Sequence, residues 1–132
     1  MTDDRPCGTI LVVDDNAEIS RLSRKFLEAA GYTVISAADG EQGILLYERH
    51  RSAIVLVITD LVMPKMDGFE LADRVLAMDS KLPVLLMSGD AGCDYRELEC
   101  IVKPFRPAEL IEAVNRVLSG AKSRQAAASS VF

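Results

Sequence analysis

Short apolar β-branched runs alternate along this chain with longer amphipathic ones, and that alternation restricts the fold more than any other feature. TILVV at residues 9–13, TVISA at 33–37, IVLVIT at 54–59, PVLLM at 83–87 and a very short CIV at 100–102 read as strands. The third run shows no polar alternation, which suits a strand covered on both faces. Between the strands lie helical spacings. Residues 17–30 carry Ile19, Leu22, Phe26 and Leu27, with Asn16 as N-cap and Gly31 as stop. Residues 40–50 carry Ile44, Leu45 and Tyr47, and residues 69–78 follow a loop punctuated by Pro64 and Gly68. A closing helix covers 106–118, with Pro107 suited to its first turn. The polar stretch SGDAGCDYRELE allows only one or two helical turns, near residues 95–98. Five such βα alternations predict the α/β class, a parallel sheet with helices on both faces.

A chain of 132 residues has room for one domain. The expected organisation is an N-terminal extension at 1–8, a folded domain at 9–119 and a flexible polar tail at 120–132. A hydrophobic share of 49% with 27% charged residues argues against disorder. No apolar run approaches the roughly 18 residues of a membrane span, and MTDDRPCG does not read as a signal peptide. A cytoplasmic protein without membrane insertion is expected. The net charge of −5 disfavours direct contact with nucleic acid, which draws on clustered Lys and Arg. Cys7, Cys93 and Cys100 are odd in number and lack C-x-x-C spacing, so they read as reduced thiols. The single histidine, His50, sits in YERHR and reads as a solvated helix-end residue.

In parallel sheets, ligand chemistry gathers at the carboxyl ends of the strands. Asp14 and Asp15 follow the first strand, Asp60 the third, Ser88 the fourth, and Lys103 (before Pro104) the fifth. Singly, each has a bland reading: a cap or turn aspartate, a Ser-Gly turn, a Lys-Pro loop. Together they describe a site. Crowded carboxylates repel one another and raise each other's pKa, and an oxygen-only set suits a hard dication such as Mg2+. With an ammonium and a hydroxyl added, the set suits phosphoryl transfer to an aspartate nucleophile.

The blocks ILVVDDN, VITDLVMPKMDG, LLMSGD and IVKPF resemble the signature blocks of the response-regulator receiver domain of two-component signalling, over about residues 9–118. The resemblance implies a flavodoxin-like sheet of five parallel strands in the order 2-1-3-4-5. By position it implies Asp60 as phosphoacceptor, Asp15 as direct Mg2+ ligand and Asp14 as its acidic partner. It further implies Val62 as a metal ligand through its backbone carbonyl, Ser88 as the switch hydroxyl and Lys103 as the phosphate-contacting lysine. The implied donor is a phosphohistidine on a histidine kinase or histidine phosphotransfer protein. The implied output is a conformational switch read by an unknown downstream protein. Catalysis would extend only to the domain's own phosphorylation and slow dephosphorylation, so the chain is expected to be a signalling phosphoacceptor, a single-domain regulator without its own output domain.

Two positions depart from the family pattern. Cys100 stands three residues before Lys103, where the family usually places the Tyr or Phe of its switch. Only fourteen residues separate Ser88 from Lys103, too few for a full fourth helix, which is expected to be shortened or missing. That alters the family's usual output face. Asp90 and Val62 flank the site and are expected to tune access of attacking water. Three other readings stand beside this one: a phosphorylation-independent receiver-like adaptor, an excised receiver of a hybrid histidine kinase, and a phosphohydrolase. The last lacks the D-x-D arrangement such enzymes place after their first strand, since this chain has Asp14-Asp15-Asn16.

Overall fold

The computed structural model describes residues 8–89 and 98–131, the last eleven as helical backbone. Its strands are β1 (Thr9–Val13), β2 (Thr33–Ala37), β3 (Ile54–Asp60), β4 (Val84–Ser88) and β5 (Glu99–Val102). Its helices are α1 (Ala17–Ala29), α2 (Gly40–Arg49), α3 (Gly68–Met78) and α4 (Pro107–Val131). Every strand pairing is parallel, and the order is β2-β1-β3-β4-β5, as expected. Among the described residues no helix separates β4 from β5, in line with the short Ser88–Lys103 spacing. Asp90, Cys93 and all but Leu98 of the turn expected near 95–98 lie outside the described residues, as does Cys7.

Alternation within each strand sends its side chains to two cores. Ile10 and Val12 of β1, Leu56 and Ile58 of β3, and Leu85 and Met87 of β4 pack with Leu27 of α1 and with Leu110, Val114 and Val117 of α4. Leu11, Val13, Val57 and Leu86 pack on the other face with Tyr47 of α2 and Leu71, Ala72 and Val75 of α3. Burying one such aliphatic side chain contributes about 1.5–3 kcal/mol, so strands apolar on both faces fit only between two helical layers. Among the described residues no helix is long and apolar enough to cross a membrane.

The helix ends follow local chemistry. Asn16 accepts hydrogen bonds from the N–H groups of Glu18 and Ile19 and starts α1. Gly31, at φ 103°, closes it, while the N–H of Tyr32 reaches back to the carbonyl of Leu27. His50 is the exposed C-cap of α2, the place its charged surroundings indicate. The fourth helix corrects the expected boundary. It was expected to stop at 118 and instead runs to Val131, through much of the segment expected as a tail. Ala, Lys, Arg and Gln dominate residues 121–128 and all favour helix, whereas Gly120 costs only about 1 kcal/mol relative to Ala. β3 extends one residue past its expected end and takes in Asp60 itself, and β4 extends to Ser88.

Candidate functional site

Strand register assembles the site. Val13 pairs with Thr59 across β1 and β3, so Asp14 and Asp60, one step further, come side by side. This is where the strand order reverses, the usual place for a crevice in an open parallel sheet. Asp60 pairs with Met87, one residue before Ser88. Ser88 pairs with Val102, and the N–H of Lys103 donates to the Ser88 carbonyl at 2.7 Å.

Carboxylate oxygens of Asp14, Asp15 and Asp60 lie within 4.8 Å of one another. Asp14 and Asp60 are buried and Asp15 is exposed. The Lys103 ammonium stands 3.3 Å from Asp14 Oδ2 and 3.2 Å from Asp60 Oδ1. The N–H of Asn16 donates to Asp14 Oδ1 at 2.9 Å. Burial pushes the Asp14 carboxyl above its ordinary range, and the Asp60 charge adds to the shift. The Asn16 N–H and the Lys103 ammonium oppose it without cancelling it. Three carboxylates against one ammonium leave a formal charge of −2 on a cluster of hard oxygen donors. That donor set fits Mg2+, and receiver domains generally bind Mg2+ at such an acidic pocket.

The structure thus brings together Asp14, Asp15, Asp60 and Lys103, with Ser88 buried at the neighbouring strand end. Val62 lies in the loop directly after β3, with its side chain 80% exposed. Cys100 lies elsewhere: it is half-buried in β5, opposite Leu86, and packs with the core on the α3 side.

Sequence reading missed two residues that bear on the site. Thr59 is fully buried, and its hydroxyl donates to the Asp60 carbonyl at 2.9 Å. Gly68 opens α3 against that same carbonyl, and a Cβ added there would lie 2.2 Å from it. Thr59 reads in sequence as an ordinary β-branched strand residue and Gly68 as turn punctuation. A cleft of about 330 Å³ was also missed; it opens beside Asp14 and Asp15 and is lined by Arg21, Arg24, Ser36 and Gln42.

The geometry agrees with comparisons to known proteins. The response regulator receiver domain family matches residues 10–115. The chain is 37% identical over 116 residues to the probable transcriptional regulator ycf27 of Porphyridium aerugineum. It is 37% identical over 117 residues to the response regulator GtcR of Aneurinibacillus migulanus. Each alignment covers 83% of this chain and 47% of the relative, so the chain spans about half the length of these curated relatives. The crystal structure of a response regulator receiver domain protein from Clostridium thermocellum superposes with a TM-score of 0.80 at 25% identity, covering 87% of this chain and 97% of that one. Sequence blocks, strand order and family match coincide, and the chain belongs to the response regulator receiver domain family of two-component signalling.

Proposed function

We propose that Asp60 accepts a phosphoryl group from a phosphohistidine in a Mg2+-dependent reaction, and that the aspartyl phosphate shifts a two-state equilibrium read by a downstream protein. The observation that carries this reading is the gathering of three carboxylates within 4.8 Å of one another, two of which, Asp14 and Asp60, share Lys103. Receiver domains as a family work with histidine kinases or histidine phosphotransfer proteins, which makes such a protein the donor.

In the transfer, an Asp60 carboxylate oxygen attacks phosphorus, a new O–P bond forms, the P–N bond of the donor breaks, and the imidazole leaves with the electron pair. Lys103 already faces Asp60 at 3.2 Å, so its charge is in place before the phosphoryl group arrives. The Ser88 hydroxyl, one strand over, hydrogen-bonds a phosphoryl oxygen in the phosphorylated form. Asp14, Asp15, Asp60 and the Val62 carbonyl would hold Mg2+, which would supply positive charge to neutralise the transferring oxygens. Catalysis extends only to the domain's own phosphorylation and slow dephosphorylation. A full reversal of a 1:99 equilibrium needs about 5.5 kcal/mol of preference for the active state, a scale that a dianion beside Lys103 and Ser88 approaches. The domain acts in the cytoplasm through protein contacts, and its acidic balance leaves DNA contact to other parts of its signalling system.

Phosphotransfer from a phosphorylated histidine phosphotransfer protein tests this reading. Label should pass to the wild-type chain in the presence of Mg2+ and stay on the donor when Asp60→Asn replaces it. Equal transfer to both would overturn the assignment of Asp60.

A further inference from the structure

The peptide group of Asp60 is held from two directions by residues outside the acidic cluster. Thr59 Oγ1 donates to the Asp60 carbonyl at 2.9 Å from a fully buried side chain. Gly68, the first residue of α3, presents a bare Cα to that carbonyl. A Cβ there would lie 2.2 Å from the Asp60 oxygen, 2.8 Å from the Leu61 Cα and 3.0 Å from the Asp60 carbonyl carbon. All three atoms are backbone, so no side chain can move aside. Gly68 has no need of glycine's left-handed conformations, since among the described glycines only Gly8 and Gly31 have positive φ. Close approach is therefore the reason for glycine here. The loop between is closed by the Gly68 N–H on the Leu61 carbonyl at 2.9 Å, and Leu61 is tied to β4 through the Met87 carbonyl at 3.0 Å. Asp67 caps α3 through the Glu70 N–H, which fixes where the helix begins.

We infer that Thr59 and Gly68 form a clamp on the Asp60 peptide and are positioning residues for the phosphoacceptor carboxylate. The clamp acts on the one carboxylate that receives the phosphoryl group, so the inference rests on the reading of Asp60 given above. Its physical basis is that the Asp60 side chain leaves the backbone one bond from the clamped carbonyl carbon. Any shift of that peptide carries the carboxylate with it. A misplacement on the order of 1 Å costs on the order of 100-fold in rate for a reaction that depends on alignment. Val62, two residues along the same loop, would shift with it.

The test compares Gly68→Ala, Thr59→Val and Thr59→Ser with Val75→Ala. The last removes a fully buried α3 side chain away from the acidic cluster and serves as a control for general destabilisation. Two readouts are used: the rate of phosphorylation by acetyl phosphate, and Mg2+ affinity by titration calorimetry without any phosphodonor. The clamp predicts a rate loss of about 100-fold and at least tenfold weaker Mg2+ binding in Gly68→Ala. It predicts a loss of about tenfold in rate for Thr59→Val, with Thr59→Ser staying within about twofold of wild type because the hydroxyl is restored. Val75→Ala should lose stability in urea with both readouts within about twofold of wild type. Wild-type values in both Gly68→Ala and Thr59→Val would overturn the clamp, as would equal losses in Val75→Ala. If Gly68→Ala does not fold, the Thr59→Val and Thr59→Ser pair decides. If the wild type takes up no phosphoryl group, the proposed function fails, and the clamp still stands or falls on the Mg2+ affinities.

Discussion

Lys103 and Asp60 form an ion pair of 3.2 Å between the end of β5 and the end of β3, and the same ammonium lies 3.3 Å from Asp14 at the end of β1. One cation therefore balances two buried carboxylates, drawn together by strand register rather than by proximity in sequence.

Removing that cation leaves both carboxylates buried and repelling. Lys103→Met is expected to destabilise the metal-free protein by about 3–5 kcal/mol, the range found when one partner of a buried pair is deleted. Mg2+ should recover part of the loss by supplying the missing positive charge. Urea denaturation of both proteins, with and without Mg2+, checks both halves of the expectation.

Asp14 sets a pH dependence. Burial holds its folded-state pKa above the ordinary value, so the native state binds this proton more tightly than the unfolded chain does. Native stability then falls as pH rises from the unfolded value through the raised folded one, and the cost stays in full above it. Asp14→Asn removes a carboxylate whose ionisation is unfavourable. Without metal it should melt a few degrees above wild type at about pH 7, and the gain should vanish near about pH 3, where Asp14 is neutral in both states. In Mg2+ the order should reverse, because the variant lacks a ligand. Melting curves across pH, in chelator and in Mg2+, report each sign.

These charged residues were legible because each directly follows an apolar run. Parallel strands bring their carboxyl ends to one edge of the sheet, and the register then decides which of these residues stand side by side. Gly68 was not legible, since its role depends on how closely α3 approaches the Asp60 carbonyl, a distance that spacing does not encode, and Thr59 was not, since its role rests on where a buried hydroxyl points. The length of α4 was misread for a different reason: Gly120 and the serines that follow suggest a stop, while the alanines between them carry the helix on to Val131. That no helix separates β4 from β5 among the described residues was legible as a simple count of the residues between Ser88 and Lys103.

Ser23 offers a stabilising substitution. It is fully buried on α1, and its hydroxyl meets no hydrogen-bond partner among the described residues. Replacing a buried, unsatisfied hydroxyl by a methyl hydrogen removes a desolvation cost. Ser23→Ala is expected to add about 1 kcal/mol, measured by urea unfolding, with Mg2+ affinity unchanged.

Lys65 offers another. It sits at φ 71° in the loop between β3 and α3, a conformation its Cβ disfavours, and the Met66 N–H closes a tight turn onto the Pro64 carbonyl around it. Lys65→Gly is expected to raise stability by about 0.5–1 kcal/mol, because it removes a left-handed penalty of about 1–2 kcal/mol against an added entropy cost of about 0.5–1 kcal/mol. A loss of stability in the same assay would show that the lysine side chain contributes more than its backbone strain costs.

The phosphoacceptor role of Asp60 is tested most directly by intact mass spectrometry after incubation with acetyl phosphate. An adduct of about 80 Da is expected on the wild type in Mg2+, absent in chelator and absent from Asp60→Asn under either condition. An adduct of equal yield on Asp60→Asn, or none on the folded wild type in Mg2+, would contradict it.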